Sequence, residues 1–497
     1  MNSEIRGLAT ALMILYGAPC PATPPDGFGN QWVRSHPFTL MGLNIRPDSL
    51  DVDEYVGAGF NTLLAWEEIA QQAAIAAQGA LTWHAHIRPA NQGPDAYLQG
   101  LVNGAAVHPG GLGWMLHDEP GRLHMDGIGA AADWIRQNHP GMPVYCNAFP
   151  SYAAVEQLYG DGSNPGYNWD TYLDDFIAVI GPDIMMYDYY PFESDGDTKD
   201  TFFSDLVTVR AKSLQANIPY WTFIQSWADQ NARMPSDSDL RMQVFAHLAA
   251  GYSGLAYFTY DTWDDGGLLD PAGNRRPIYY LAAEVNAEVS NLGPWLRFLT
   301  STGMRYVRGR YKLFDWEFDN PLPDGMTDWS PGACGDPHIT DIDVDTSYPD
   351  AFGAGKDGLI GLFVDDEGQH FFMLVNVWHA ADTSAADTAL PFFIQFDDSV
   401  DQLLELDRES GEPVEVALID HRLEVTLKGG SGRLYMYDTG AHPDGGSDAG
   451  IDAGPDAGID AGPDAGSDPG YDAGSDPGYD AGSDPGYDAG SDPGYDA

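Results

Sequence analysis

Two adjacent carboxylates, Asp118 and Glu119, close the apolar run GWMLHDEP, in which Pro120 follows them. An apolar run of this length that stops at a proline is typical of a buried β-strand ending at that point. Burial raises the pKa of a carboxyl group, and so does a like charge beside it. A carboxyl group that keeps its proton near neutral pH can act as a general acid. We therefore expect Glu119 to be a proton donor.

A second carboxylate, Asp188, stands in a similar setting, at the end of the apolar run IMMYDYYP. Glycoside hydrolysis uses one carboxyl group as the acid and usually a second as nucleophile or base. We predict that Asp188 is the catalytic partner of Glu119. Glu67 and Asp261, which also follow apolar runs, are rivals for that role.

Eight short apolar runs alternate with amphipathic, helix-like segments between residues 36 and 300. The runs cover residues 38–45, 61–66, 81–87, 112–119, 143–149, 184–190, 219–225 and 254–261. Eight β-then-α units in one stretch predict an α/β fold of the (β/α)8 TIM-barrel type. Side chains at the carboxyl ends of barrel strands gather at one rim, so Glu119 on the fourth strand and Asp188 on the sixth would meet there.

The predicted strand ends carry amides, carboxylates and histidines interleaved with tryptophan and tyrosine. Aromatic rings stack on the C–H faces of sugars, while amides and carboxylates bind hydroxyl groups, so this lining predicts a carbohydrate substrate. The predicted substrate-binding residues are Asn44, Trp66, Glu67, His86, Asp118, Asn147, Tyr190, Gln225, Trp227, Asp261 and Trp263. The chemistry requires no cofactor and no metal.

The remaining chain differs in composition from the barrel. Residues 301–438 read as short strands separated by Gly, Asp and Pro turns, which predicts an antiparallel β-sandwich that serves as an accessory domain. Residues 439–497 repeat SDPGYDAG-like units with an Asp at every fourth position from Asp444 to Asp496. Such a segment has almost nothing to bury, so we expect a disordered, extended spacer and a candidate for tethering at a cell surface.

The first 25 residues resemble a secretory signal, with Arg6 before an apolar run and small residues after it. Lipidation at Cys20 is the alternative use of this segment. We therefore expect a secreted or cell-surface protein. No apolar stretch reaches the roughly 20 residues that a membrane helix needs, so no membrane insertion is predicted.

The charge balance excludes two classes of partner. The chain has 75 acidic and 23 basic residues in 497, a net charge of −52. Nucleic acids and anionic membranes are bound through clustered Lys and Arg, so neither is an expected partner. A neutral glycan is compatible with this balance.

A family resemblance adds to this interpretation. The order of GFNTLLAW, GWMLHDEP, YDYYPF and LRMQVFAHLAAGYSGLAYFTYDTW resembles the TIM-barrel glycoside hydrolases related to clan A, over residues 36–438. There the Glu before Pro at the end of strand four is the acid/base, which implies that role for Glu119, and a trailing β-sandwich is usual. The clan has Asn where this chain has Asp118, and a nucleophilic Glu where this chain has Gln225. The segment MMYDYY also resembles chitinase-like hydrolases, whose substrate supplies its own acetamido nucleophile.

Two other functions remain open from the sequence. His84 and His86, with Asp118 and Asp261, are residue types that a metal-dependent hydrolase uses. A barrel that binds glycans without cleaving them is the non-enzymatic alternative.

Overall fold

A computed structural model describes residues 27–261, 266–313, 316–332, 336–344 and 356–438. All of them belong to one compact unit that extends to Ala441. The predicted signal segment, Trp263 and the acidic tail lie outside the described residues, as do Cys20 and Cys334.

Eight parallel strands close into a barrel, each paired with the next along the chain and the last paired with the first. The strands are β1 (Thr39–Asn44), β2 (Thr62–Ala65), β3 (Thr82–His86), β4 (Gly111–Asp118), β5 (Val144–Ala148), β6 (Ile184–Asp188), β7 (Tyr220–Gln225) and β8 (Gly254–Asp261). The predicted TIM barrel is confirmed.

Ten α-helices lie before, between and after the barrel strands in the described ranges. They are α1 (Phe28–Ser35), α2 (Val52–Gly57), α3 (Ile69–Gln78), α4 (Ala96–Ala106), α5 (Arg122–Asn138), α6 (Val155–Tyr159), α7 (Trp169–Asp175), α8 (Phe202–Ala216), α9 (Asp237–Ala250) and α10 (Pro277–Leu296). Several begin at a side chain that accepts a backbone N–H of the first turn, as Asp51, Asp95 and Ser236 do. Within the described ranges, none of these helices combines the length and the apolar character needed to cross a bilayer.

Every second side chain of each barrel strand points inward and fills the barrel interior. Successive side chains point to opposite faces, so on β6 Met186 and Asp188 share the inner face while Met185 and Tyr187 pack outward against the helices. Helix α1 contributes Trp32 to the interior cluster, where its ring lies 6.0 Å from that of Trp221. The barrel is therefore a packed core whose polar inner positions occur at the carboxyl ends of its strands.

The chain after the barrel forms antiparallel sheets. Their strands are β9 (Thr300–Val307), β10 (Arg310–Leu313), β11 (Trp316–Asp319), β12 (Ile339–Val344), β13 (Gly358–Val364), β14 (His370–Asn376), β15 (Leu390–Phe396), β16 (Gln402–Leu406), β17 (Pro413–Ala417), β18 (Arg422–Leu427) and β19 (Gly432–Asp438). A six-stranded sheet (β17-β16-β19-β14-β13-β9) and a three-stranded sheet (β12-β15-β18) enclose an apolar core, and β10 and β11 form a separate hairpin. The predicted antiparallel sandwich is confirmed.

Helix α9 joins the two halves of this unit. All but its first residue are buried, and polar residues such as Arg241 and Gln243 are among them. The same apolar cluster contains Phe245 and Leu248 of α9 and Met373 and Val375 of β14. A helix buried on every side needs a partner on each face, and here the barrel covers one and the six-stranded sheet another.

Candidate active site

A cluster of three carboxyl groups lies at the carboxyl ends of β4 and β6. Asp118 ends β4, Glu119 follows it, and Asp188 ends β6. Strand β5 lies between them and supplies Asn147, whose Nδ2 donates to Asp118 Oδ1 at 3.0 Å and whose carbonyl accepts the Glu119 N–H at 2.9 Å. Asn147 therefore holds the Asp118 carboxylate through its side chain and the Glu119 backbone through its carbonyl.

Glu119 has an unusual backbone conformation. Its φ is +47°, in the left-handed region that residues with a side chain seldom occupy. The parallel pairing of β4 and β5 is irregular between Met115 and Asp118, just before this residue. Strained residues of this kind persist where the surrounding structure holds them, and they are frequent at functional sites.

Burial and mutual repulsion control the protonation of the cluster. Burial raises the pKa of Glu119 well above its usual range, and the charges of Asp188 and Asp118 add to this. Burial and the charge of Asp118 raise the pKa of Asp188 to about 7, although hydrogen bonds from Asn147, Tyr190 and Glu119 oppose the shift. Burial also raises the pKa of Asp118 to about 6. A hydrogen bond between the two groups raises the pKa of Glu119 further and lowers that of Asp188, so Glu119 holds a proton more readily than Asp188.

Three buried polar atoms around the cluster have no hydrogen-bond partner among the described residues: Asp188 Oδ1, Asn147 Oδ1 and Trp227 Nε1. Buried polar atoms in folded proteins are nearly always paired, with water or a ligand where the protein offers no partner. These atoms are therefore available to water or to polar atoms of a bound molecule.

Aromatic side chains flank the carboxyl cluster. The rings of Tyr190, Trp227 and Phe258 contact one another at centroid distances of 5.5–5.8 Å. Tyr152 lies in the segment after β5 and packs edge-on against Tyr189 at 5.3 Å, with Lys199 Nζ 4.1 Å above its ring. Burial and the charges of Asp188 and Glu119 raise the pKa of Tyr152, which places it beside the pair.

The sequence predicts Tyr190 and Trp227 as binding residues, but it does not predict Tyr152 and Phe258. Tyr152 comes four residues after the end of β5 and so does not stand at a strand end. Phe258 shares the inner face of β8 with Ala256. The alternation of side chains along a strand therefore predicts that its ring points inward.

Three predicted binding residues are used by the scaffold instead. Asp261 is fully buried and accepts hydrogen bonds from Arg46 and Ser49. The buried amide of Gln225 bonds to the backbone of Phe192 and Arg233.

The third is Asn44, whose Nδ2 donates to the Arg46 carbonyl and to Gln72 Oε1, both at 3.0 Å. Asp261, the amide of Gln225 and Nδ2 of Asn44 are thus held by fixed partners, whereas Asn44 Oδ1 has no partner among the described residues. The ion pair with Arg46 removes Asp261 as a rival of Asp188.

Trp66, Glu67 and His86 line a cavity of about 490 Å³ at the ends of β2 and β3, together with Arg88, Asn91 and Tyr97; we call it the Trp66 groove. The indole of Trp66 stacks on the His86 ring, with centroids 3.9 Å apart. Glu67 and Arg88 form a long ion pair across it at 3.7 Å. These predicted residues are therefore grouped, on the opposite side of β4 from Asp188.

The histidines of β3 do not form a metal site with the carboxylates. His84 points into the barrel interior, where Nδ1 lies 2.9 Å from the hydroxyl of Tyr145. Burial lowers the pKa of both His84 and His86 to about 3. Within the part of the chain that the structure describes, no three His, Cys, Asp or Glu side chains are grouped to hold a metal ion.

Comparison with known proteins finds similarity to solved structures only, at low sequence identity. No protein-family model matches the sequence, and no curated protein is significantly similar to it. One similar solved structure is a GH27 β-L-arabinopyranosidase from Geobacillus stearothermophilus (TM-score 0.41, 10% identity, 82% of this chain and 97% of that one). Another is a family 30 subfamily 8 xylanase from Clostridium acetobutylicum (0.40, 10%, 81% and 96%).

A third is a β-galactosidase from the psychrophilic Marinomonas ef1 (TM-score 0.39, 13% identity, 53% of this chain). This chain matches 62% of the β-galactosidase, less than two thirds of its length. Similarity at these values does not identify an activity, so function has to be inferred from the site itself.

Proposed function

We propose that this protein is a glycoside hydrolase in which Glu119 is the proton donor and Asp188 is the second catalytic carboxylate. The observation that carries this is the cluster of Asp118, Glu119 and Asp188 at the ends of β4 and β6, in which burial and the two neighbouring charges raise the pKa of Glu119. A general acid for an ether-like oxygen needs a proton at working pH and an anion beside it to stabilise developing positive charge.

In the proposed reaction Glu119 transfers its proton to the glycosidic oxygen as the bond to the anomeric carbon breaks. Asp188 and Asp118 then face the positive charge on the sugar ring. A water molecule supplies the hydroxyl group of the product and returns a proton to the carboxyl pair. The unpartnered Oδ1 atoms of Asp188 and Asn147 are suited to hold this water or a ring hydroxyl.

Asp188 is the second carboxylate in this proposal because it ends β6 and its charge acts on Glu119. Gln225 cannot replace Asp188, because it is an amide with its polar atoms committed to the backbone.

Carbohydrate recognition at this centre is assigned to the aromatic side chains of Tyr152, Tyr190, Trp227 and Phe258, which offer ring faces and edges for sugar C–H groups. Asp118 and Asn147 are the hydroxyl-binding groups. Residues 36–300 are the catalytic domain in this proposal, and residues 301–438 are the accessory domain.

The proposal includes export of the chain through its signal-like first 25 residues, and a spacer role for residues 439–497. Both rest on composition: an apolar run after Arg6, and 14 Asp with no Lys or Arg from Asp444 to Asp496.

A glycan-binding barrel without activity is the second candidate. It is favoured by Gln225 at the end of β7, the position where the clan A resemblance implies a nucleophilic Glu.

One experiment separates the two. Wild type, Glu119→Gln and, as matched control, Glu415→Gln (an exposed glutamate of β17) are incubated with a panel of polysaccharides, and new reducing ends are measured. We expect cleavage by wild type and the control, with a loss of about 10²–10⁴-fold in Glu119→Gln. Equal cleavage by all three contradicts the role of Glu119, and binding without cleavage supports the non-catalytic candidate.

A further inference from the structure

The Trp66 groove has the size and lining of a binding site. Its volume of about 490 Å³ falls within the ~300–1,000 Å³ of small-molecule sites. Trp66 and Tyr97 supply aromatic surface, and the Tyr97 side chain is 66% exposed. Asn91 and Gln92 add amide groups to the same lining. Aromatic surface beside a few amides is the combination that suits sugar rings.

His86 supplies a second, independent indication of a ligand. It lines the groove and is only 4% exposed, yet its Nδ1 is buried and has no hydrogen-bond partner among the described residues. Burial and the charges of His117 and Arg88 keep the pKa of His86 at about 3, although a hydrogen bond with the Trp66 backbone opposes the shift, so the ring is neutral. The unpartnered nitrogen of a neutral imidazole can form one hydrogen bond with a hydroxyl group.

The charges in the groove select against anionic ligands. Glu67 and Glu68 both line it, against the single cation Arg88, which is already paired with Glu67. The net charge of −52 adds to the repulsion of a polyanion. A neutral ligand fits this lining best.

The groove adjoins the carboxyl cluster along the barrel rim. Strand β3, which carries His86, pairs directly with β4, which ends in Asp118. The charge of Arg88, which lines the groove, partly offsets the rise that burial causes in the pKa of Asp118. The groove and the carboxyl cluster therefore lie at neighbouring positions of the same rim.

We infer that the Trp66 groove is a subsite for neutral sugar units of a glycan chain whose scissile bond lies at Glu119. This subsite rests on the proposed function, and it makes the substrate an extended polysaccharide or oligosaccharide rather than an isolated monosaccharide glycoside. Tyr97, Asn91 and Arg88 thereby become binding residues.

Affinity electrophoresis tests this subsite without requiring cleavage. Glu119→Gln is run through native gels that contain xylan, mixed-linkage β-glucan, galactan, arabinan, mannan or pullulan, and through gels with polygalacturonate or alginate. The same gels are run with two double variants, Glu119→Gln/Tyr97→Ala and, as a matched control, Glu119→Gln/Tyr280→Ala. Tyr280 is an exposed tyrosine on α10 outside the groove lining. The high negative charge drives all variants toward the anode, so retardation reports binding.

We expect retardation by at least one neutral polysaccharide, weakened roughly tenfold or more by Tyr97→Ala and unchanged by Tyr280→Ala. Retardation that survives Tyr97→Ala, that occurs with polyuronates alone, or that is absent throughout overturns the subsite. Tyr97-dependent binding without hydrolysis by wild type rejects the proposed function but keeps the groove. Hydrolysis that depends on Glu119, together with binding that does not depend on Tyr97, rejects the subsite but keeps the proposed function.

Discussion

Glu119 and its two carboxyl neighbours act as one titrating group. The charges of Asp188 and Asp118 raise the pKa of Glu119, the charge of Asp118 raises that of Asp188, and burial raises all three. In the proposed mechanism activity is lost on the alkaline side when Glu119 gives up its proton. It is lost on the acid side when Asp188 takes one up, near its pKa of about 7.

Asp118→Asn removes one charge while keeping an oxygen that can accept the hydrogen bond from Asn147. Because the charge of Asp118 raises the pKa of both Asp188 and Glu119, its removal lowers both. We expect both limbs of the pH profile of kcat/KM to move to lower pH by about one unit. Asp133→Asn, at an exposed position on α5, is the control. Limbs that stay in place or move to higher pH contradict the coupling.

At the scale of elements, the segment between β5 and α6 carries Tyr152 to the cluster. Asp205 of α8 anchors this segment, because its Oδ2 accepts the Ser151 N–H at 2.8 Å. The carboxylate is 1% exposed, and its burial raises its pKa to about 6. The buried carboxylate of Asp205 thus sets the position of Tyr152, a residue of the proposed binding site.

Asp205→Ala leaves the Ser151 N–H without its acceptor, which costs about 1–3 kcal/mol of unfolding free energy. We also expect kcat/KM to fall about tenfold through displacement of Tyr152. Asp205→Asn keeps an acceptor oxygen, so it should recover most of the activity.

Kinetics and urea unfolding of these variants are compared with Asp174→Ala, which removes an exposed ion pair with Lys212. If Asp205→Ala loses stability but keeps full kcat/KM, Asp205 has no positioning role.

The barrel strands could be predicted from the sequence because each is a short apolar run between turn signals. The expected run 254–261 coincides with β8, and 38–45 exceeds β1 by one residue at each end. The rim positions of Glu119 and Asp188 were predictable for the same reason, since strand number and strand end fix where a side chain lies on the rim.

The partners of the rim residues could not be predicted. Asp261 is bound by Arg46, 215 residues away, and the amide of Gln225 is bound by backbone groups of Phe192 and Arg233. Side chains at equivalent strand ends look alike in sequence, and only the loop conformations decide which remain open to a ligand. The left-handed backbone of Glu119 also has no sequence signal, because glycine is absent there.

At the scale of the whole molecule, a buried ion network ties the barrel to the sandwich. Asp239 of α9 is fully buried and binds Arg233 and His379, the latter in the segment between β14 and β15. Although burial opposes it, hydrogen bonds and charges from His379 and Arg233 lower the pKa of Asp239 to about 2. This carboxylate stabilises the fold above the pKa of an unfolded Asp, ~3.9, and the contribution is lost as pH falls through about 2.

Asp239→Asn is therefore expected to lower the unfolding free energy by roughly 3 kcal/mol at pH 7, because it leaves the largely buried guanidinium of Arg233 beside a neutral group. The difference from wild type should shrink between pH 4 and pH 2. Urea unfolding across this range is compared with Asp366→Asn, which removes an exposed pair with Arg34 and should cost less than about 1 kcal/mol. A difference that is constant with pH contradicts the role of the Asp239 charge.

The central claim, that Glu119 protonates the leaving group, is tested most directly by varying that group. Glu119→Gln and wild type are assayed on the glycan that wild type cleaves and on the dinitrophenyl glycoside of the same sugar, whose acidic leaving group departs without a proton. We predict a loss of about 10²–10⁴-fold on the glycan and a much smaller loss on the dinitrophenyl glycoside. Equal losses on both substrates would contradict the assignment of Glu119 as the acid.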